Sequence, residues 1–199
     1  MKGDVGIEFI IVIILAVLVL TLGTGFLQNI FKQVDVIGTQ VTDKAINELI
    51  NQLSNTKKEV GTTIGARKVI DRNQPAEFAV VINNGIQGSA KDSCFKVFLT
   101  IEDADRGIIN RLGCADFSTC TKLKETEQWF SFAPTKWLSS GKAEPSKVSV
   151  NIPAEADSGD YIFRAAVGIN SKLTDFSQCN AQTQGFTQYG SEDFILQVK

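Results

Sequence analysis

The run Ile7 to Leu27 constrains this chain more than any other feature. It is almost wholly apolar and holds one charge, Glu8. As an α-helix rising about 1.5 Å per residue it spans about 30 Å, the thickness of a bilayer core. No later segment of the 199 residues comes close, so the chain is expected to cross a membrane at most once. Three readings compete. The run is an uncleaved anchor; or a secretory signal peptide, with small residues near Thr21, Gly23 and Gly25 as the cleavage region; or a leader cut on the cytoplasmic side, so that the apolar helix stays in the mature protein.

Glu8 separates them. A carboxylate at the centre of a bilayer costs roughly 2.5–3.5 kcal/mol, and neither an anchor nor a signal peptide needs one. The bland account places Glu8 at the headgroups, where its charge suits a helix N-terminus. The residues around it favour a sharper account. Lys2-Gly3, then Asp4-Val5-Gly6-Ile7-Glu8, then the apolar run from Phe9 to Leu20 resemble the leader of archaeal type IV pilin-like proteins with a class III signal peptide. In that family a basic residue and a glycine precede the cut, and glutamate is fifth in the mature chain. A cut between Gly3 and Asp4 puts Glu8 at that place. The family pattern usually has Gln and Ser where this chain has Asp4 and Gly6. The resemblance covers about the first twenty residues.

The resemblance implies a mechanism. A prepilin peptidase removes residues 1–3 and frees the amine of Asp4. Pilus assembly machinery then draws the subunit from the membrane, and Glu8 meets the terminal amine of a neighbouring copy in a homo-polymer. Burying a carboxylate is tolerable only against an opposite charge, and removing one partner strands the other at about 3–5 kcal/mol. Asp4 and Glu8 are therefore the expected assembly residues.

After Leu27 the pattern turns amphipathic. Ile30, Val34, Ile37, Val41, Ala45, Leu49 and Leu53 recur at three- and four-residue steps among polar residues, which predicts one apolar stripe on a helix over 28–54. Gly23, Gly25 and Gly38 each weaken it by about 1 kcal/mol relative to Ala. Pilin helices have this two-part form, the second half packing against the subunit's own globular domain. A coiled-coil stalk or a plain connector fits the stripe equally well. The expected organisation is a leader over 1–3, the helix over 4–56, and an extracellular domain over 57–199.

That domain reads as β. Candidate strands are Lys68–Asp71, Phe78–Asn83, Cys94–Ile101, Ile108–Leu112, Gln128–Phe132, Val148–Ile152, Tyr161–Ile169 and Phe194–Val198. Asn83-Asn84-Gly85 is a turn signal, and Asp103–Gly107 reads as a hairpin turn. In Cys94–Ile101, Phe95, Val97, Leu99 and Ile101 alternate with Cys94, Lys96, Phe98 and Thr100, as in a half-buried strand. Seven or eight short strands predict an antiparallel sandwich. Residues 151–167, in which Gly159-Asp160-Tyr161 opens a strand after a proline-bounded turn, resemble the late strands of immunoglobulin-like surface modules. The expected fold class is therefore α+β: a long N-terminal transmembrane and amphipathic helix, then an antiparallel immunoglobulin-like β-sandwich.

Four cysteines, Cys94, Cys114, Cys120 and Cys179, contain no C-x-x-C pair. They read as two disulfides in an oxidising compartment. Cys114–Cys120 with Cys94–Cys179 is one pairing. Cys94–Cys114 across the Asp103–Gly107 hairpin, with Cys120–Cys179, is the rival.

Composition removes several functions. There is no histidine, which excludes Ser-His-Asp and Cys-His catalysis and His-ligated zinc. The net charge of −2 implies no nucleic-acid partner. The Asp-x-Asp-x-Gly spacing at Asp103–Gly107 resembles a calcium loop but lacks the other ligands, so a solvated turn is expected. Trp129 and Trp137 are expected to pack in the core, and residues 176–190 to form a surface loop pinned by Cys179. No cofactor, metal or catalytic residue is expected. The sequence predicts a filament subunit at the cell surface with a single-pass membrane intermediate. The alternative is a membrane-anchored minor pilin or archaellum-stator-like protein whose sandwich binds an extracellular partner.

Overall fold

The structure is a computed structural model, and it describes residues 41–85 and 91–199. The apolar run and its Glu8 lie outside these. Among the described residues no helix is long and apolar enough to cross a membrane.

Helix α1 (Asp43–Thr56) carries the second half of the predicted amphipathic stripe. Thr42 is extended at φ −89°, and its hydroxyl accepts from the Ala45 N–H at 3.3 Å, which satisfies one of the orphan donors of a helix start. Lys57 enters the left-handed region at φ 53° and ends the helix. Among the described residues the stripe expected over 28–54 is helical only from Asp43, with Val41 and Thr42 before the helix and Thr42 as its cap; residues 28–40 lie outside them.

The rest is mostly β. The strands are β1 (Val60–Thr62), β2 (Arg67–Ile70), β3 (Ala76–Asn83), β4 (Ser93–Ala104), β5 (Phe130–Phe132), β6 (Thr135–Leu138), β7 (Ala143–Val150), β8 (Gly159–Asn170) and β9 (Thr187–Val198). They form two sheets, ordered β1-β3-β7-β5 and β2-β9-β8-β4-β6. The sheets face each other across one aromatic core. Phe78 of β3 meets Phe194 of β9 at 5.3 Å, and Phe130 of β5 meets Phe163 of β8 at 4.9 Å, edge to face. Strand β4 alternates as read: Phe95, Val97, Leu99 and Ile101 are buried, while Lys96, Phe98 and Thr100 face outward.

Four expectations are corrected. Residues 108–112 are not a strand. Arg106–Arg111 is a short helix, α2, because Ile108, Ile109 and Leu112 fall on one helical face and the first two are buried. Consequently Asp103–Gly107 is no hairpin turn: β4 runs on to Ala104, and the Asp105 carbonyl accepts from Ile108 and Ile109 to start α2. Gln128 and Trp129 end a 3-10 helix over Glu125–Trp129, and strand begins only at Phe130. The sheets are not wholly antiparallel, since β2 pairs parallel to β9. Strands β1 and β6, three and four residues long, were not predicted.

Candidate functional site

Two features of the domain bear on function: the seat of α1 and the outward face of β4. Strand β3 is buried along both faces. Phe78, Val80 and Ile82 enter the core between the sheets, while Ala79 and Val81 turn the other way, toward Val41, Ile46 and Leu53. Leu49, Ile50 and Ala143 pack around that second cluster. Helix α1 therefore lays its apolar stripe on the outer face of the four-stranded sheet. Fully burying a Leu or Ile stabilises by about 1.5–3 kcal/mol, so Ile46 and Leu53 alone hold the helix firmly. Close approach requires Gly61 beneath it: a Cβ there would lie 3.0 Å from Leu53 Cδ2 and 3.1 Å from Leu49 Cδ1. Of the three uses the stripe admits, the described half serves docking onto the chain's own sheet.

The structure joins Cys94 to Cys179 and Cys114 to Cys120. The rival pairing required a hairpin that does not form. Cys94 shares the outward face of β4 with Lys96 and Phe98, so its bridge draws the long β8–β9 connection toward that face. Lys96 Nζ donates to the Ala181 carbonyl at 3.0 Å and sits 5.6 Å and 5.8 Å from the ring centroids of Phe98 and Phe186. Phe186 crosses Gly168 so closely that a Cβ there would be 2.9 Å from its own Cβ. Phe98 and Phe176 stay 40% and 70% exposed. Nothing in the sequence around Phe176 distinguishes it from the Gln- and Ser-rich loop that carries it.

The expected leader and assembly residues, Gly3, Asp4 and Glu8, lie outside the described residues. The Asp-x-Asp segment lines a cavity of about 420 Å³ with Asp116, Asp160 and an apolar floor that includes Ile162 and Ile195. Its carboxylates are engaged. Asp105 accepts from the Asp160 N–H at 2.8 Å, Asp103 from the Ala104 N–H at 2.8 Å, and Asp160 pairs with Arg67. Hydrogen bonds from Ser118 and Thr119 hold Asp116 below the usual carboxylate range. Among the described residues no three carboxylate or thiol groups are placed to hold a metal. Trp129 packs against Tyr161 at 5.0 Å, at the margin of the core, and Trp137 is half-buried on β6.

No protein-family model and no curated protein matches the chain. Two of the solved structures similar to it at low level illustrate the likeness. One is a family 123 glycoside hydrolase from Clostridium perfringens: TM-score 0.40, 9% identity, 67% of this chain and 22% of that one. The other is the class 5 fimbriae chaperone CfaA: TM-score 0.35, 7% identity, 69% of this chain and 54% of that one. The chain thus spans about a fifth of the first and half of the second. Neither likeness carries an argument about fold or activity.

Proposed function

We propose that this chain is the structural subunit of a type IV pilus-like surface filament. It polymerises through its apolar N-terminal segment and displays a β-rich domain outside the cell. The observation that carries the reading is the seat of α1. The amphipathic half of the pilin pattern buries its apolar stripe against the chain's own sheet (Ile46 and Leu53 on Ala79 and Val81). The leader-like Lys2-Gly3-Asp4 and the charge of Glu8 supply the rest. Two disulfides suit an exterior, oxidising compartment.

We read the domain as an immunoglobulin-like β-sandwich. Two features support this. The first edge of the fold changes sheets, β1 pairing antiparallel with β3 and β2 parallel with β9. In addition, Tyr161 at the start of β8 donates its hydroxyl to the Asp157 carbonyl, 3.0 Å away and four residues upstream, the arrangement of a tyrosine corner.

The deciding experiment is the mass of the N-terminal peptide of native protein from its own cells. A chain beginning at Asp4 is expected. A chain beginning at Met1 leaves a plain anchor, and one beginning near residue 24 or 26 means ordinary secretion and ends the filament reading. A second reading, an anchored binding module, draws on the exposed Phe98 and Phe176. It requires the protein to stay with detergent-extracted membrane and never to enter sheared surface fractions.

A further inference from the structure

The β8–β9 connection, residues 171–186, crosses the outer face of the five-stranded sheet as a strap. None of its residues is buried. Lys96 Nζ donates to the Ala181 carbonyl at 3.0 Å, the Asn170 amide donates to the Gln184 carbonyl at 2.9 Å, and Phe186 rests on Gly168. Other hydrogen bonds close turns within the strap: the Thr183 hydroxyl donates to the Gln178 carbonyl at 2.6 Å, and the Ser177 N–H to the Asp175 carboxylate at 2.8 Å. The two disulfides differ in their surroundings. Cys120 is buried in the main core, and Cys114 packs against it. Cys94 is just as buried but belongs to neither apolar cluster. It lies on the outward face of β4 beneath the strap, and its partner Cys179 is half-buried.

A segment with no buried side chain and solvent-facing hydrogen bonds opens at low cost, so the covalent bond is the firm tie on this strap. Strands β8 and β9 stay paired up to Ile169 and Thr187 without it. We infer that the Cys94–Cys179 bond is a redox-operated clasp: a dithiol reductant opens it, frees residues 171–186 and uncovers Cys94 and Lys96 while both sheets stay folded. A thiolate of the reductant attacks Sγ of Cys179, the more accessible sulfur. The S–S bond breaks, and Cys94 leaves as a thiolate and takes up a proton. The reductant's second thiolate then attacks its own sulfur in the mixed disulfide and releases Cys179. Two electrons pass to the bridge, and the dithiol is oxidised to a disulfide. The inference is independent of the filament reading and applies equally to an anchored monomer.

The test titrates the full-length protein, in detergent micelles, with dithiothreitol under native conditions, then alkylates free thiols and maps them by peptide mass. Cys94 and Cys179 are expected to label at a dithiothreitol level that leaves Cys114 and Cys120 unlabelled. At that level the domain keeps a cooperative thermal transition, and trypsin cuts after Lys172, within the strap, at least about tenfold faster than in the oxidised protein. The double variant Cys94→Ser with Cys179→Ser is expected to show the fast cut without any reductant. The proposal is overturned if Cys114–Cys120 opens first or at the same level, or if the thermal transition is lost when Cys94–Cys179 opens. It is equally overturned if cleavage at Lys172 is no faster in the reduced protein and in the double variant than in the oxidised parent.

Discussion

The chain's two tyrosines each close a long-range or corner contact. Tyr161 donates to Asp157, and Tyr189 donates to the Asn83 carbonyl at 2.6 Å. Burial pushes both phenols up to about 12, helped by Asp157 in the first case and Glu59 in the second. A group whose folded pKa lies above its unfolded one stabilises fully below the unfolded value and loses that contribution as pH rises through the folded value. Alkaline weakening is therefore expected between the ordinary value of 10 and about 12. Phenolate absorbance in the native protein should rise near the upper figure and in urea near the lower one; a native rise at the ordinary value would contradict the burial argument. Acid acts through Asp193. Hydrogen bonds from Arg164 at 2.7 and 3.0 Å hold its carboxyl below the usual range. Its contribution is present above the ordinary carboxylate pKa and lost as pH falls below it. Asp193→Asn should thus lower the melting temperature at neutral pH and leave it unchanged in strong acid. Thr62 is buried and its hydroxyl has no hydrogen-bond partner, so Thr62→Val, which keeps nearly the same shape, is expected to raise stability by about 1 kcal/mol in urea unfolding.

Among the elements, α1 and the Cys94–Cys179 bridge offer the sharpest contrast. Leu53→Ala empties a buried site between α1 and Gly61, and is expected to cost about 2–5 kcal/mol. The bridge closes a separation of 85 residues, against 6 for Cys114–Cys120. Replacing Cys94 and Cys179 by Ala should therefore lose more than replacing the other pair, on the order of 2–4 kcal/mol in denaturant titrations; equal losses would mean that loop length does not govern here. Long elements with a clear period were legible in advance. β4 alternated, β3 was continuously apolar because it is covered on both faces, and α1 carried a stripe. Of the short elements, β2 and β5 were read as strand but α2, β1 and β6 were not, and of the long β9 only Phe194–Val198 was read, its start at Thr187–Gly190 falling in the polar stretch expected to be a surface loop. Residues 108–112 hold too few positions for period two to be told from a helical turn. β1 and β6 owe their pairing to neighbours distant in sequence, and β1 contains the glycine that α1 needs.

At the scale of the whole molecule, the filament reading separates assembly from folding, and this separation can be measured. The α1 seat is internal to the domain, so a domain variant such as Leu53→Ala lowers stability without removing the charge at Glu8. The reverse holds for Glu8→Ala. It removes a carboxylate that, in the resemblance, compensates the amine freed at Asp4, and stranding one member of a buried ion pair costs about 3–5 kcal/mol. In a polymer that loss recurs at every subunit contact, so the expected result is no filament at all rather than fewer. Insertion into the membrane depends on the apolar run, which the substitution makes more apolar, so it should remain intact. The measurement is the partition of protein between sheared surface fractions and detergent-extracted membrane, in cells carrying the parent or the variant chain. Protein moving wholly to the membrane fraction, with an unchanged thermal transition of the domain, is the predicted outcome. Filaments at normal yield would reduce Glu8 to a headgroup residue and leave the leader-like spacing without a role in assembly.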